Sequence, residues 1–119
     1  MRLLAVAAAG AAGAVARYGL GRAFATRDFP WTTLAVNVAG SLALGLLLGG
    51  VASRWQESVR LAATVGFLGA FTTFSTFSYE ATELVRDGRA PAALAYVGAS
   101  VVLGLAAAAA GYSAANALS

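Results

Sequence analysis

Five hydroxyl side chains stand within seven residues of this chain: Thr72, Thr73, Ser75, Thr76 and Ser78, with Phe74 and Phe77 between them. On a helix, two rings three residues apart share a face. A ring has a negative face and a positive edge, and hydroxyls are hydrogen-bond donors. Together they can replace the water around a small anion without a fixed positive charge. Two rings at helical spacing are also what core packing or lipid contact looks like, and the crowded hydroxyls are what favours chemistry. Gly66 and Gly69 precede adjacent β-branched threonines, Thr72 and Thr73, a combination that weakens a helix. A break there would free carbonyl oxygens able to hold a cation. Asn37 is the other candidate, because an amide within an apolar run is costly unless partnered. It serves either as a ligand or as glue between helices. Thr33, Asn37, Ser41, Gly45 and Gly49 are spaced by four and share one face. The upper half of that row is polar. Ser41, Gly45 and Gly49 read as a flat packing seam.

The chain has no cysteine and no histidine, which removes disulfides, thiol nucleophiles, histidine triads and most transition-metal sites. Its net charge of +3 comes from arginine alone. Those arginines lie between apolar runs rather than in a stripe, so they read as loop charges and imply no nucleic-acid partner. With 60% hydrophobic and 11% charged residues in 119, lipid rather than water is the expected solvent.

The elements that must position these residues follow from the uncharged runs. A span needs ~20 apolar residues. Residues 31–52, 61–79 and 90–119 are free of charge, and residues 3–16 reach span length with Arg17 inside the helix. Backbone in lipid must bond within its own segment, so each run is expected to be a helix. The spacing predicts one domain over 1–119 with four transmembrane helices, at about 3–24, 31–52, 61–84 and 91–115. The third is expected to be broken at mid-membrane. Arg2, an apolar stretch and Ala14-Val15-Ala16 also resemble a signal peptide, but the Gly/Ala-rich stretch suits close helix packing better, and four retained spans are expected. With four spans, one side carries Arg2, Arg54 and Arg60, and the other carries Arg22, Arg27, Arg86 and Arg89. Three against four is almost no bias, so mixed insertion is expected.

Three blocks of residues resemble the Fluc (CrcB) fluoride channel family: 10–18 (GAAGAVARY), 36–41 (VNVAGS) with Gly45, and 66–77 (GFLGAFTTFSTF). They fall in order on the first three runs, and the third is the most specific. Ala70 stands where the family commonly has a further glycine, and the fourth run has no clear motif. The resemblance implies an all-α integral membrane protein that forms an antiparallel, dual-topology homodimer with two fluoride pathways in a prokaryotic cell membrane. It implies that Asn37, Phe74 and Phe77 line the pathway, with Thr33, Ser75, Thr76 and Ser100 as polar neighbours and Arg17 facing a vestibule. It further implies that the backbone carbonyls of Gly69 and Thr72, two from each subunit, hold a structural sodium ion. No organic cofactor is implied.

The chemistry agrees with such a role. There is no nucleotide loop, and Glu80 and Glu83 lie at the end of the third run rather than inside it, so neither pumping nor proton coupling has an obvious carrier. Passive flow is expected, relieving fluoride toxicity. The competing class is the small multidrug exporter, also built of four helices. Those proteins carry a glutamate on the first helix, where this chain has only Arg17.

Overall fold

The computed structural model of the protein describes residues 1–25 and 28–118; Thr26, Arg27 and Ser119 lie outside the described residues, among them one arginine of the side-to-side count. The described residues are all-helical. Helix α1 is Arg2–Ala23. Helix α2 is Trp31–Leu46 and runs on through a π-helical stretch, Leu47–Val51. Helix α3 covers 57–71: it is α-helical over Glu57–Leu61, π-helical over Ala62–Leu68 and α-helical again over Gly69–Phe71. Helix α4 is Phe74–Arg86 and α5 is Ala90–Leu118. Among the described residues, four stretches are long and apolar enough to cross a membrane: Arg2–Ala23, Trp31–Val51, Glu57–Arg86 and Ala90–Leu118. The third starts earlier than the uncharged run does, because Glu57 favours the positive N-terminal end of the helix and pairs with Arg2 and Arg60. The fourth runs on to Leu118 because its alanine-rich tail has nothing to stop it.

Glycines set which helices meet. A Cβ on Gly13 of α1 would overlap the Phe67 carbonyl of α3, and one on Gly66 would lie 2.8 Å from the Val6 carbonyl oxygen. Likewise, α2 lies on α5. A Cβ on Gly45 would overlap the Ala108 carbonyl, and one on Gly49 would overlap the Tyr112 carbonyl. Gly111 reciprocates, since a Cβ there would lie 2.9 Å from the Leu46 amide. Such contacts let backbones approach where lipid supplies no hydrophobic drive.

Between α4 and α5 the chain turns through Gly88 at φ +77°. The Arg89 amide bonds the Leu84 carbonyl at 2.8 Å and the Gly88 amide bonds that of Val85 at 3.0 Å, a Schellman ending that needs a left-handed residue. This turn folds α4 back beside α5 around a small core of Leu34, Leu84, Ala93 and Tyr96, of which Tyr96 is wholly buried. Elsewhere the helices expose apolar faces. Only 6% of the α1 span and 28% of the α2 span are buried, so lipid or another chain must cover the rest.

Candidate ion pathway

The site forms where α3 stops. Thr72 (φ −81°, ψ 158°) and Thr73 (φ −150°, ψ 122°) are extended, while Gly69 stays helical at φ −61°, ψ −37°. The interruption is therefore shorter than the glycine spacing implied, and Asn37 of α2 is what holds it. The Thr73 amide donates to Asn37 Oδ1 at 2.8 Å, and Asn37 Nδ2 donates to the Thr73 carbonyl at 3.0 Å. The side-chain amide thus bonds Thr73 as a neighbouring strand would, and its second Nδ2 hydrogen is left over. The Thr73 hydroxyl caps α4, accepting the Thr76 amide at 3.1 Å.

Both amides are thereby withdrawn from the helix ladder. In a continuous helix Thr73 would bond the Gly69 carbonyl and Thr76 the Thr72 carbonyl. These two carbonyls lose those partners. Gly69 is also exposed on the single chain.

Two cavities flank the Asn37–Thr73 pair, and Thr73 lines both. The first, of about 350 Å³, is lined by Asn37, Ser41, Thr64, Gly69, Thr72, Phe74, Phe77 and Ser100 among others, none of them charged. The second, of about 310 Å³, is lined by Arg17, Thr33, Thr76 and Glu80 among others. The structure thus divides the residues singled out in the sequence between two chambers, and Ser75 lines neither. Its hydroxyl lies 3.4 Å from that of Thr73. Two buried polar atoms have no hydrogen-bond partner among the described residues, Ser100 Oγ in the first chamber and Arg17 Nε beside the second.

Not every hydroxyl of the cluster is free to donate. Thr72 Oγ1 donates to the Leu68 carbonyl at 2.9 Å, and Ser78 Oγ to that of Phe74 at 2.9 Å. These bonds satisfy the groups within their own helix, as apolar surroundings demand. The rings of Phe74 and Phe77 are 5.7 Å apart at 46°. Phe74 is 79% exposed on the single chain, so its partner in a membrane is lipid or another protein.

Two residues of the site were not singled out in the sequence. Tyr96 packs its ring 5.1 Å from Phe77 and donates its hydroxyl to Glu80 Oε1 at 3.0 Å. Its sign in the sequence is a polar aromatic in a mostly apolar run, which Tyr112 shares. Glu80 directly follows the uncharged run 61–79 and faces the same chamber as Arg17.

The fold and the site together define a multi-pass membrane protein with an uncharged chamber between its helices into which a few polar groups face. A family model described as CrcB-like protein, Camphor Resistance (CrcB), matches residues 4–112, and the chain belongs to that family. Among its relatives is the fluoride-specific ion channel FluC 1 of Nitrobacter hamburgensis, 48% identical over 115 residues that cover 92% of this chain and 90% of the relative. The fluoride-specific ion channels FluC of Geobacter sulfurreducens and Rhodospirillum centenum are 49% and 51% identical, covering 85% of this chain and 86% and 84% of theirs. These relatives are named as bacterial ion channels, not enzymes.

Proposed function

We propose that this chain conducts fluoride passively through a bacterial membrane, down its electrochemical gradient, and so lowers cytoplasmic fluoride. The observation that carries the reading is the Asn37–Thr73 pair, which opens the third span between two chambers that each present hydrogen-bonding groups. Fluoride holds its water tightly, and a pathway must replace that water with donors. The remaining Asn37 hydrogen, the Ser100 hydroxyl and the ring edges of Phe74 and Phe77 supply them in the first chamber, and Thr33, Thr76 and Arg17 in the second. Because the first chamber is uncharged, an ion that enters it is also able to leave. Ser75 supports Thr73 rather than the ion.

The conducting unit in this proposal is an antiparallel homodimer with two pathways. Supporting it are the exposed Phe74 and Gly69 and the near balance of arginines between the two sides. The interruption at Thr72–Thr73 then lies at mid-membrane. Gly69 and Thr72 from both copies would hold a sodium ion through carbonyls that have lost their helix partners, which is the donor set such an ion takes at broken helices. The ion would supply structural charge at the dimer centre, beside the first chamber, which Gly69 and Thr72 also line.

A multidrug exporter is disfavoured, because α1 contributes Arg17 rather than a carboxylate, and the Glu80 carboxylate in that chamber comes from α4 and is bonded by Tyr96. Purified protein in liposomes should release fluoride rapidly and chloride far more slowly. Equal release of both ions, or none, would overturn the reading.

A further inference from the structure

The loop leading into α2 is rigid where it meets the pathway. Pro30 (φ −78°, ψ 63°) is the centre of an inverse γ-turn, closed by the Trp31 amide on the Phe29 carbonyl at 2.8 Å. Proline fixes its own φ and restricts Phe29 before it. Two further bonds hold this end of the loop: Arg89 Nη1 donates to the Asp28 carbonyl, and Thr32 Oγ1 donates to the Phe24 carbonyl at 2.5 Å. The turn sets the Phe29 ring nearly perpendicular to that of Tyr96, with centroids 5.4 Å apart and planes at 84°. Phe77 packs on the same tyrosine at 5.1 Å, and the tyrosine is wholly buried. The hydroxyl of Tyr96 is thereby held where it donates to Glu80 Oε1, with the Thr33 side chain beside it.

We infer that Phe29 is a positioning residue for the ion pathway, holding Tyr96 in the orientation that ties down the Glu80 carboxylate. The inference rests on the chain conducting fluoride. Glu80 shares its chamber with Arg17, Thr33 and Thr76. A carboxylate released into that chamber would repel an anion and compete for the same donors. Phe29 touches neither chamber itself. It acts through the tyrosine.

Two measurements on the full-length protein test this. In liposomes, Phe29→Leu should cut fluoride efflux about fivefold, the scale of one lost ring contact, while Phe29→Tyr, which keeps the ring, should conduct normally. In a Tyr96→Phe background, where no hydroxyl remains to be positioned, Phe29→Leu should add no further loss. Normal efflux in Phe29→Leu, or losses that multiply across the two substitutions, would overturn the inference. The second measurement does not depend on transport. With 3-fluorotyrosine incorporated, the Tyr96 fluorine resonance should be one line in the unsubstituted protein, exchange-broadened or doubled in Phe29→Leu, and one line again in Phe29→Tyr. A single sharp line in Phe29→Leu would overturn the positioning role even if the unsubstituted protein conducts no fluoride. That last result would count against the proposed function alone.

Discussion

The row of residues along α2 meets two different partners, and the contrast explains what each half does. At Gly45 and Gly49 the partner is α5, an unbroken helix whose backbone groups already bond one another. Nothing larger than hydrogen fits against the carbonyls of Ala108 and Tyr112. At Asn37, two turns away, the partner is backbone that has left its helix at Thr72 and Thr73. There a side chain with one donor and one acceptor is needed, because unpaired peptide groups in an apolar setting cost several kcal/mol. The same four-residue spacing is thus a packing seam in one place and a polar junction in the other, and the partner decides which.

The contrast should break most severely at the seam. Gly45→Val drives a side chain into the Ala108 carbonyl, with no flexible neighbour to yield. The expected cost is about 3 kcal/mol, read as loss of the monodisperse peak after detergent extraction. At the junction, Asn37→Asp keeps the acceptor for the Thr73 amide but loses the donor to its carbonyl and adds charge beside the anion track. Protein should still be recovered while fluoride efflux is abolished. Unchanged transport would mean that the amide is only glue between helices.

These two sites also differ in how readily they are read from residues alone. Four spans follow from the uncharged runs, and the seam follows from the glycine spacing, since both are local properties of one helix. Asn37 stands out by its cost in an apolar run. Its bonding to Thr73 does not, because the two residues are 36 positions apart. For the same reason the glycines suggested a longer interruption than the two residues observed, as Gly69 has no cause of its own to leave the helix. The Tyr96–Glu80 pair was hidden in the same way: only the turn at Gly88 brings the start of α5 back along α4. Hydroxyl density does not separate Ser75, which lines neither chamber, from its neighbours, because it says nothing of which side of α4 each one takes.

Smaller effects sharpen the junction. Phe77→Ile removes a ring that lines the first chamber and packs on Tyr96. Assembled protein should remain, with efflux cut about tenfold, corresponding to a ring contribution near 1.4 kcal/mol. Phe74→Ile should act in the same direction. Normal efflux in both would return the rings to a packing role. Ser100→Ala should have the mildest effect. Its hydroxyl is buried with no partner among the described residues, so stability should change by less than about 0.5 kcal/mol while efflux falls about threefold, the scale of one neutral hydrogen bond. A marked loss of stability instead would show that the hydroxyl is bound within the assembled protein and does not serve the ion.

The most direct test of the account is electrical. Purified protein in a planar bilayer, with a tenfold fluoride gradient and chloride balancing the charge, should pass a current that reverses at the fluoride equilibrium potential, about 59 mV from zero for a monovalent ion. Changing the pH on one side should leave that potential where it is, because the carboxylate that faces the pathway, Glu80, is tied to Tyr96 and carries no proton across with the anion. A reversal set by chloride, or one that moves with the proton gradient, would contradict passive and selective fluoride conduction through the Asn37–Thr73 junction.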